Sequence, residues 1–89
     1  MSIELAEKVG AAIADKSRLR ILEEISKRGS LTCTEAQELT SLAQPTISHH
    51  IKTLIESGIV TAEKEGRHVR IALNKKVLSE FSLFFKKLA

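Results

Sequence analysis

Apolar residues recur at two different periods along this chain, and the change of period marks out its elements. Residues 2–14 carry Leu5, Val9, Ala12 and Ile13 three and four apart, which places them on one face of a first helix. Asp15 is suited to be the N-cap of a second helix over 16–28, whose expected buried stripe is Leu19, Leu22 and Ile25, with Ile21 beside it. Lys27 and Arg28 complement its carbonyl end, and Gly29 fits the left-handed position beyond it. Thr32-Cys33-Thr34-Glu35 matches a capping box, hydroxyl at the N-cap and carboxylate three residues on, so a third helix is expected to about Leu39. Thr40-Ser41-Leu42-Ala43 reads as a tight turn into a fourth helix with Pro45 in its first turn. Its buried stripe is Ile47, Ile51, Leu54 and Ile55, and Glu56-Ser57-Gly58-Ile59 predicts a Schellman cap.

After Gly58 the period drops to two. Val69, Ile71 and Leu73 alternate with His68, Arg70 and Ala72, so one strand face is apolar and the other presents His68 and Arg70 outward. The partner strand is Ile59 to Lys64 and the turn Glu65-Gly66. A two-stranded ribbon is marginal alone, so it must lean on the helices and project its tip, Lys64 to Arg70, as a charged finger. Asn74 leads into a last helix over 75–88, where Val77, Phe81, Phe84, Phe85 and Leu88 share one face that Leu78 widens.

The polar positions of the fourth helix carry the functional signal. Thr46, His49, Lys52, Thr53 and Glu56 point away from the buried stripe, with Ser48 and His50 at its borders. Small hydrogen-bonding groups and a cation suit a major groove, with its base-edge donors, acceptors and nearby phosphates. Charge placement agrees. The formal net charge of +3 resides in residues 44–76, six bases against three acids, while the rest of the chain has eight of each.

Eighty-nine residues make a single small domain with a limited core. The single Cys33 excludes an internal disulfide and fits a reducing compartment. The acidic N-terminal residues do not form a signal peptide, and no apolar run reaches membrane-spanning length, so a soluble cytoplasmic protein is expected, with no membrane partner. Oligomerisation is the expected further source of stability. The apolar stripes on the first and last helices exceed what one such domain covers. Leu5, Val9, Val77, Phe81, Phe84, Phe85 and Leu88 are therefore expected to form a two-fold interface with a second copy.

A helix-turn-helix followed by a hairpin is the winged-helix architecture: mainly α with a small β-hairpin, in the order α-α-α-α-β-β-α. The expected division is one DNA-binding domain over 1–89, with helix-turn-helix 32–57, wing 59–73 and dimerisation helices 1–14 and 75–89. Over residues 12–74 the sequence resembles the ArsR/SmtB-type repressors. The matching segments are Ala14-Asp15-Lys16-Ser17-Arg18-Leu19-Arg20-Ile21-Leu22, Gln44-Pro45-Thr46-Ile47-Ser48-His49-His50-Ile51-Lys52 and Glu65-Gly66-Arg67. The resemblance implies a homodimeric repressor that sets two recognition helices into successive major grooves of a palindromic operator until an effector releases it.

Departures from the family pattern bear on what is sensed. Metal-responsive members carry Cys-x-Cys at the start of the third helix, where this chain has Thr32 and Thr34 on either side of Cys33. Others bind zinc through the last helix, but residues 75–89 hold only Glu80 among possible ligands. No metal and no cofactor is expected. Ser41 replaces a frequent glycine, and Ala43 a frequent Ser or Thr cap, which leaves amides at the start of the fourth helix for water or phosphate.

The candidate DNA-binding residues are Gln44, Thr46, Ser48, His49, His50, Lys52 and Thr53 on the helix and Arg67, His68 and Arg70 on the wing. Gln44 and Thr46 are nearest the base edges, and Lys52, Arg67, His68 and Arg70 meet phosphates. His50, beside the core stripe, has backbone hydrogen bonding as its other reading. Two rival functions stand beside this one: a DNA-binding redox sensor using Cys33, and a winged-helix protein-interaction module, which would need an apolar outer face on the fourth helix. An enzyme is disfavoured, since no Ser-His-acid set, phosphate loop or carboxylate pair occurs at usable spacing.

Overall fold

The computed structural model describes residues 1–89. Helix α1 spans Ile3–Ile13, α2 Lys16–Arg28, α3 Cys33–Thr40, α4 Gln44–Ser57 and α5 Lys75–Leu88. Strand β1 is Leu31–Thr32, β2 Val60–Glu65 and β3 His68–Leu73. The helix starts follow the caps in the sequence. Asp15 accepts from the Arg18 amide at 3.0 Å, and Asn74 accepts from the Val77 amide at 3.2 Å. Thr32 and Glu35 form the reciprocal box, hydroxyl from the Glu35 amide at 3.1 Å and carboxylate from the Thr32 amide at 2.8 Å.

The sheet is three-stranded, in the order β1-β3-β2, where the sequence predicted a two-stranded ribbon. Leu31 pairs with Ile71 and Thr32 with Arg70, so the two-residue β1 satisfies the outer edge of β3 that a hairpin alone would leave open. Two residues are too few to show an alternation, which hides β1 in the sequence. Its Leu31 is nonetheless fully buried.

One cluster of 12 residues forms the core, drawn from α1, α2, β1, α3, α4, Ile59, β2 and β3. The α2 stripe differs from expectation. Ile21 and Ile25 are buried and Leu22 half-buried, whereas Leu19 is 50% exposed. At about 100° per residue Leu19 lies roughly 200° from Ile21, on the opposite side of the helix. Ile55 likewise leaves the α4 stripe for the surface.

The end of α4 is a modified Schellman turn. Gly58 has φ +86°, and its amide donates to the Ile55 carbonyl at 3.0 Å, as that motif requires. The following amide, of Ile59, donates instead to Ser57 Oγ at 3.2 Å, and that hydroxyl donates to the Leu54 carbonyl at 2.7 Å. A buried side chain thus relays the second bond of the motif, and Ile59 still turns inward.

Ile21→Ala is expected to cost about 2–5 kcal/mol in denaturant unfolding, and Leu19→Ala well under ~1 kcal/mol. Equal losses would show that α2 is rotated from the position described. Acid should also destabilise the fold. Glu35 and Asp15 are both held below their ordinary pKa, chiefly by the backbone amides of Thr32 and Arg18 that donate to them. A lowered folded-state pKa contributes stability above the unfolded value and loses it as pH falls through the folded one, so the decline belongs below about pH 4. The double variant Asp15→Asn with Glu35→Gln should flatten that acid limb in a urea titration series.

Candidate nucleic-acid interface

Helix α4 is fixed by Ile47, Ile51 and Leu54, all buried in the core. Thr46, His49 and Lys52 are exposed on the side away from them, Ser48 is exposed at the border, Gln44 is exposed at the open amino end, and Thr53 is half-buried on the flank facing α1. This surface therefore presents hydroxyl, amide, imidazole and ammonium groups with Glu56 as the one acid. The amino end is open. Ala43 caps with extended backbone and no side-chain bond, and its carbonyl takes the Ile47 amide at 3.0 Å. Pro45 has no N–H, so the Gln44 and Thr46 amides remain without a protein acceptor, directed along the helix axis beyond α4. Ser41 adopts φ +58° to make the turn before it, the one non-glycine residue in the left-handed region.

His50 does not belong to that outer face. Its side chain is only 12% exposed, and Nδ1 lies 2.9 Å from Arg18 Nη1. A guanidinium only donates, so Nδ1 accepts and the neutral ring carries its proton on Nε2, which lies 3.9 Å from Asp15 Oδ2. Arg18 also donates from Nε to the Ala12 carbonyl and from Nη2 to the Ala11 carbonyl at 3.4 Å. One side chain thus closes the carbonyl end of α1, braces the first turn of α2 and holds α4. Sequence reasoning missed Arg18. Its signal was present as a cation three residues after the Asp15 cap, together with a histidine at the border of the α4 stripe.

The wing turn is Gly66-Arg67, one residue later than expected, with Glu65 paired to His68. Gly66 has φ +62° and Arg67 does not share that sign, the pattern of a type II′ hairpin turn. Lys64, Arg67 and His68 are exposed at the tip. Arg70 is committed elsewhere. Its Nε donates to Glu65 Oε2 at 3.2 Å and its Nη1 to Ser30 Oγ at 3.0 Å, so it ties the wing to the loop before β1. Arg70, expected to meet phosphates, thus also braces the wing, because β1 brings Ser30 alongside.

The proposed apolar interface is also partly redistributed. Val9 has no exposure and lies in the chain's own core, so it has no surface to offer a second copy. Leu5, Val77 and Phe81 are half-buried and pack against that core. Phe85 and Leu88, 53% and 69% exposed, remain open, together with half-buried Phe84 and the exposed Ile3, Leu78 and Leu83. Phe85 sits edge-on to Phe81 and Phe84, with centroids at 5.0 and 5.5 Å.

Cys33 begins α3, half-buried against the core, and burial pushes its thiol above the ordinary pKa. A redox sensor needs the opposite shift, toward thiolate. The interaction-module reading needs an apolar outer face on α4, and Ile55 is the one large hydrophobic exposed there. Neither observation favours the rival it bears on.

Comparison with known proteins agrees with this geometry. A family model described as a helix-turn-helix domain matches residues 13–63. The arsenical resistance operon repressor of Staphylococcus aureus is 37% identical over 68 residues, covering 76% of this chain and 64% of that protein, so the chain spans somewhat less than two thirds of that relative. The crystal structure of an ArsR family transcriptional regulator superposes with TM-score 0.89 at 26% identity, over 99% of this chain and 90% of the other. A homodimeric winged helix-turn-helix DNA-binding domain from Mycobacterium bovis shares the fold, with TM-score 0.78 at 24% identity over 97% of this chain and 80% of that one. The arsenical resistance operon repressor of Staphylococcus xylosus is 35% identical over 88% of this chain and 74% of that protein, and the chain belongs to the ArsR/SmtB-type family of winged helix-turn-helix transcriptional regulators.

The Arg18–His50 contact makes a specific energetic statement. Arg18→Ala and His50→Ala should each destabilise the fold, and the double variant should cost less than their sum by about 0.5–3 kcal/mol. Strict additivity in thermal and denaturant unfolding would mean that the two side chains act independently.

Proposed function

We propose that this protein is a cytoplasmic repressor that binds a two-fold symmetric operator as a homodimer. The observation that carries this reading is the exposed polar face of α4 beside the exposed cations of the wing tip. In this reading the single domain divides its work. Residues 32–57 hold the helix-turn-helix and 59–73 the wing, while α1 and α5 join two copies. Gln44 and Thr46, at the amino end of α4, reach base edges, and Ser48, His49 and Thr53 line the groove beside them. Lys52, Arg67 and His68 meet phosphates, and the open Gln44 and Thr46 amides receive another at the helix start.

The dimer reading rests on the apolar surface that α5 leaves uncovered, Phe84, Phe85 and Leu88 with Leu5 and Ile3 of α1. The homodimeric state named for the M. bovis domain supports it. Two copies double every phosphate contact, giving on the order of 6–10 per complex and a steep loss of affinity between about 50 and 200 mM salt.

Selection of bound duplexes from a random pool, with solution mass measured alongside, tests the function directly. A symmetric consensus recovered by a species of about twice the 9.8 kDa chain mass is the expected result. A monomer with equally negligible binding at low and high salt would refute it. Within the complex, Gln44→Ala should relax discrimination by about 1–3 kcal/mol at one base position. Arg67→Ala should instead weaken binding to all sequences and lower the salt slope by about 1 per protomer.

A further inference from the structure

We propose that the groove between α1 and α4 is a seat for a DNA backbone phosphate, built partly from residues outside the helix-turn-helix and the wing. The proposal rests on the DNA-binding reading above and extends it to Lys8 and Arg18. The groove has a volume of about 350 Å³, and its walls include Lys8 and Ala11 of α1, Arg18 of α2, and His49, Thr53 and Glu56 of α4. Those three α4 residues lie on the edge of the face that enters the major groove, so a strand followed outward from that groove passes this opening.

The chemistry of the lining is that of an anion site with a fixed and a mobile cation. Arg18 is the fixed one. Its bonds to the Ala12 and Ala11 carbonyls and to His50 Nδ1 occupy three of its five N–H groups, which leaves two with no protein acceptor. The guanidinium cannot swing away, so its charge is already in place before an anion arrives. Lys8 is exposed at the rim and free of ion pairs, and its flexible stem lets the ammonium follow a phosphate oxygen. The Thr53 hydroxyl and the exposed His49 ring add hydrogen-bonding groups. Ala11 presents only a methyl group, so the side of α1 stays low enough for a backbone to lie against it. Glu56 is the opposing charge. It leaves the lining with a net charge of one positive unit, enough for a phosphodiester within a polyanion and weak for a small free anion.

Lys8→Ala, Lys8→Arg and Glu56→Gln dimers, checked for unchanged mass and helicity, test the seat by titrating specific and unrelated duplexes across salt. Each lost phosphate contact lowers the slope by about 0.9, equivalent to roughly eightfold in affinity at 0.1 M salt. Lys8→Ala is expected to lower the slope of the dimer by about 2 on both duplexes, Lys8→Arg to restore it, and Glu56→Gln to tighten binding several-fold. A wild-type slope for Lys8→Ala, with DNA binding by the wild type intact, overturns the seat and leaves the operator reading standing. Loss of all DNA binding by the wild type would overturn both. Inorganic phosphate replacing chloride at equal ionic strength should not displace DNA. Displacement from the wild type that Lys8→Ala abolishes would assign the groove to a free anion and overturn the proposal.

Discussion

Every functional feature of this molecule depends on the sealing of one face of α4. Ile47, Ile51 and Leu54 bury that face against α1, α2 and α3, and the same periodicity sends Thr46, His49 and Lys52 outward together with Ser48 at the border, while Gln44 stands exposed at the open amino end. A helix of 14 residues in water has little stability of its own, so the apolar contact both forms the helix and orients its polar side. Recognition chemistry needs that orientation more than it needs any one residue, since a rotation of one position would exchange a hydroxyl for an isoleucine at the groove.

Cations in this chain differ in how far the fold has already engaged them. Arg70 joins the wing to the loop before β1, and Arg18 joins α1, α2 and α4 while keeping two N–H groups for the proposed phosphate. Arg28 pairs with Glu24 at 2.8 Å and reaches Glu35 at 3.6 Å, so it too is engaged. Lys52, Lys64 and Arg67 carry no such bonds and stand exposed. The net charge of +3 therefore resides on the α4 and wing segment, residues 44–76, because the eight acids and eight bases of the rest of the chain cancel. A free lysine or arginine at a surface keeps its conformational entropy until a phosphate orders it, and gains counterion release in exchange.

The start of α4 and the outer side of α5 are the two places where the isolated chain is incomplete. At the first, backbone amides of Gln44 and Thr46 lack acceptors because Ala43 brings no cap oxygen. At the second, Phe85 and Leu88 stay in water with no element of the same chain to cover them. Both are costs to a monomer, and the DNA-bound dimer proposed above would remove both. Burial of the Cys33 thiol at the start of α3 fits the same division, since that position serves packing.

Helix boundaries, caps and the polar face of α4 were legible in the sequence, because each rests on neighbours within four residues: Asp15 with Arg18, Thr32 with Glu35, Ile47 with Ile51 and Leu54. So was the hairpin, whose alternation survives in Val69, Ile71 and Leu73. What escaped was set by residues far apart in the chain. The third strand exists only because Leu31 meets Ile71, the role of His50 only because Arg18 reaches it across 32 positions, and that of Arg70 only because Ser30 lies 40 positions away. Val9 could be assigned to the core, and Phe85 and Leu88 to the surface, only once the helices had docked. Local periodicity fixes which side of a helix is apolar. The packing of one helix on another decides how much of that side the chain itself can cover, and which polar groups remain for another molecule.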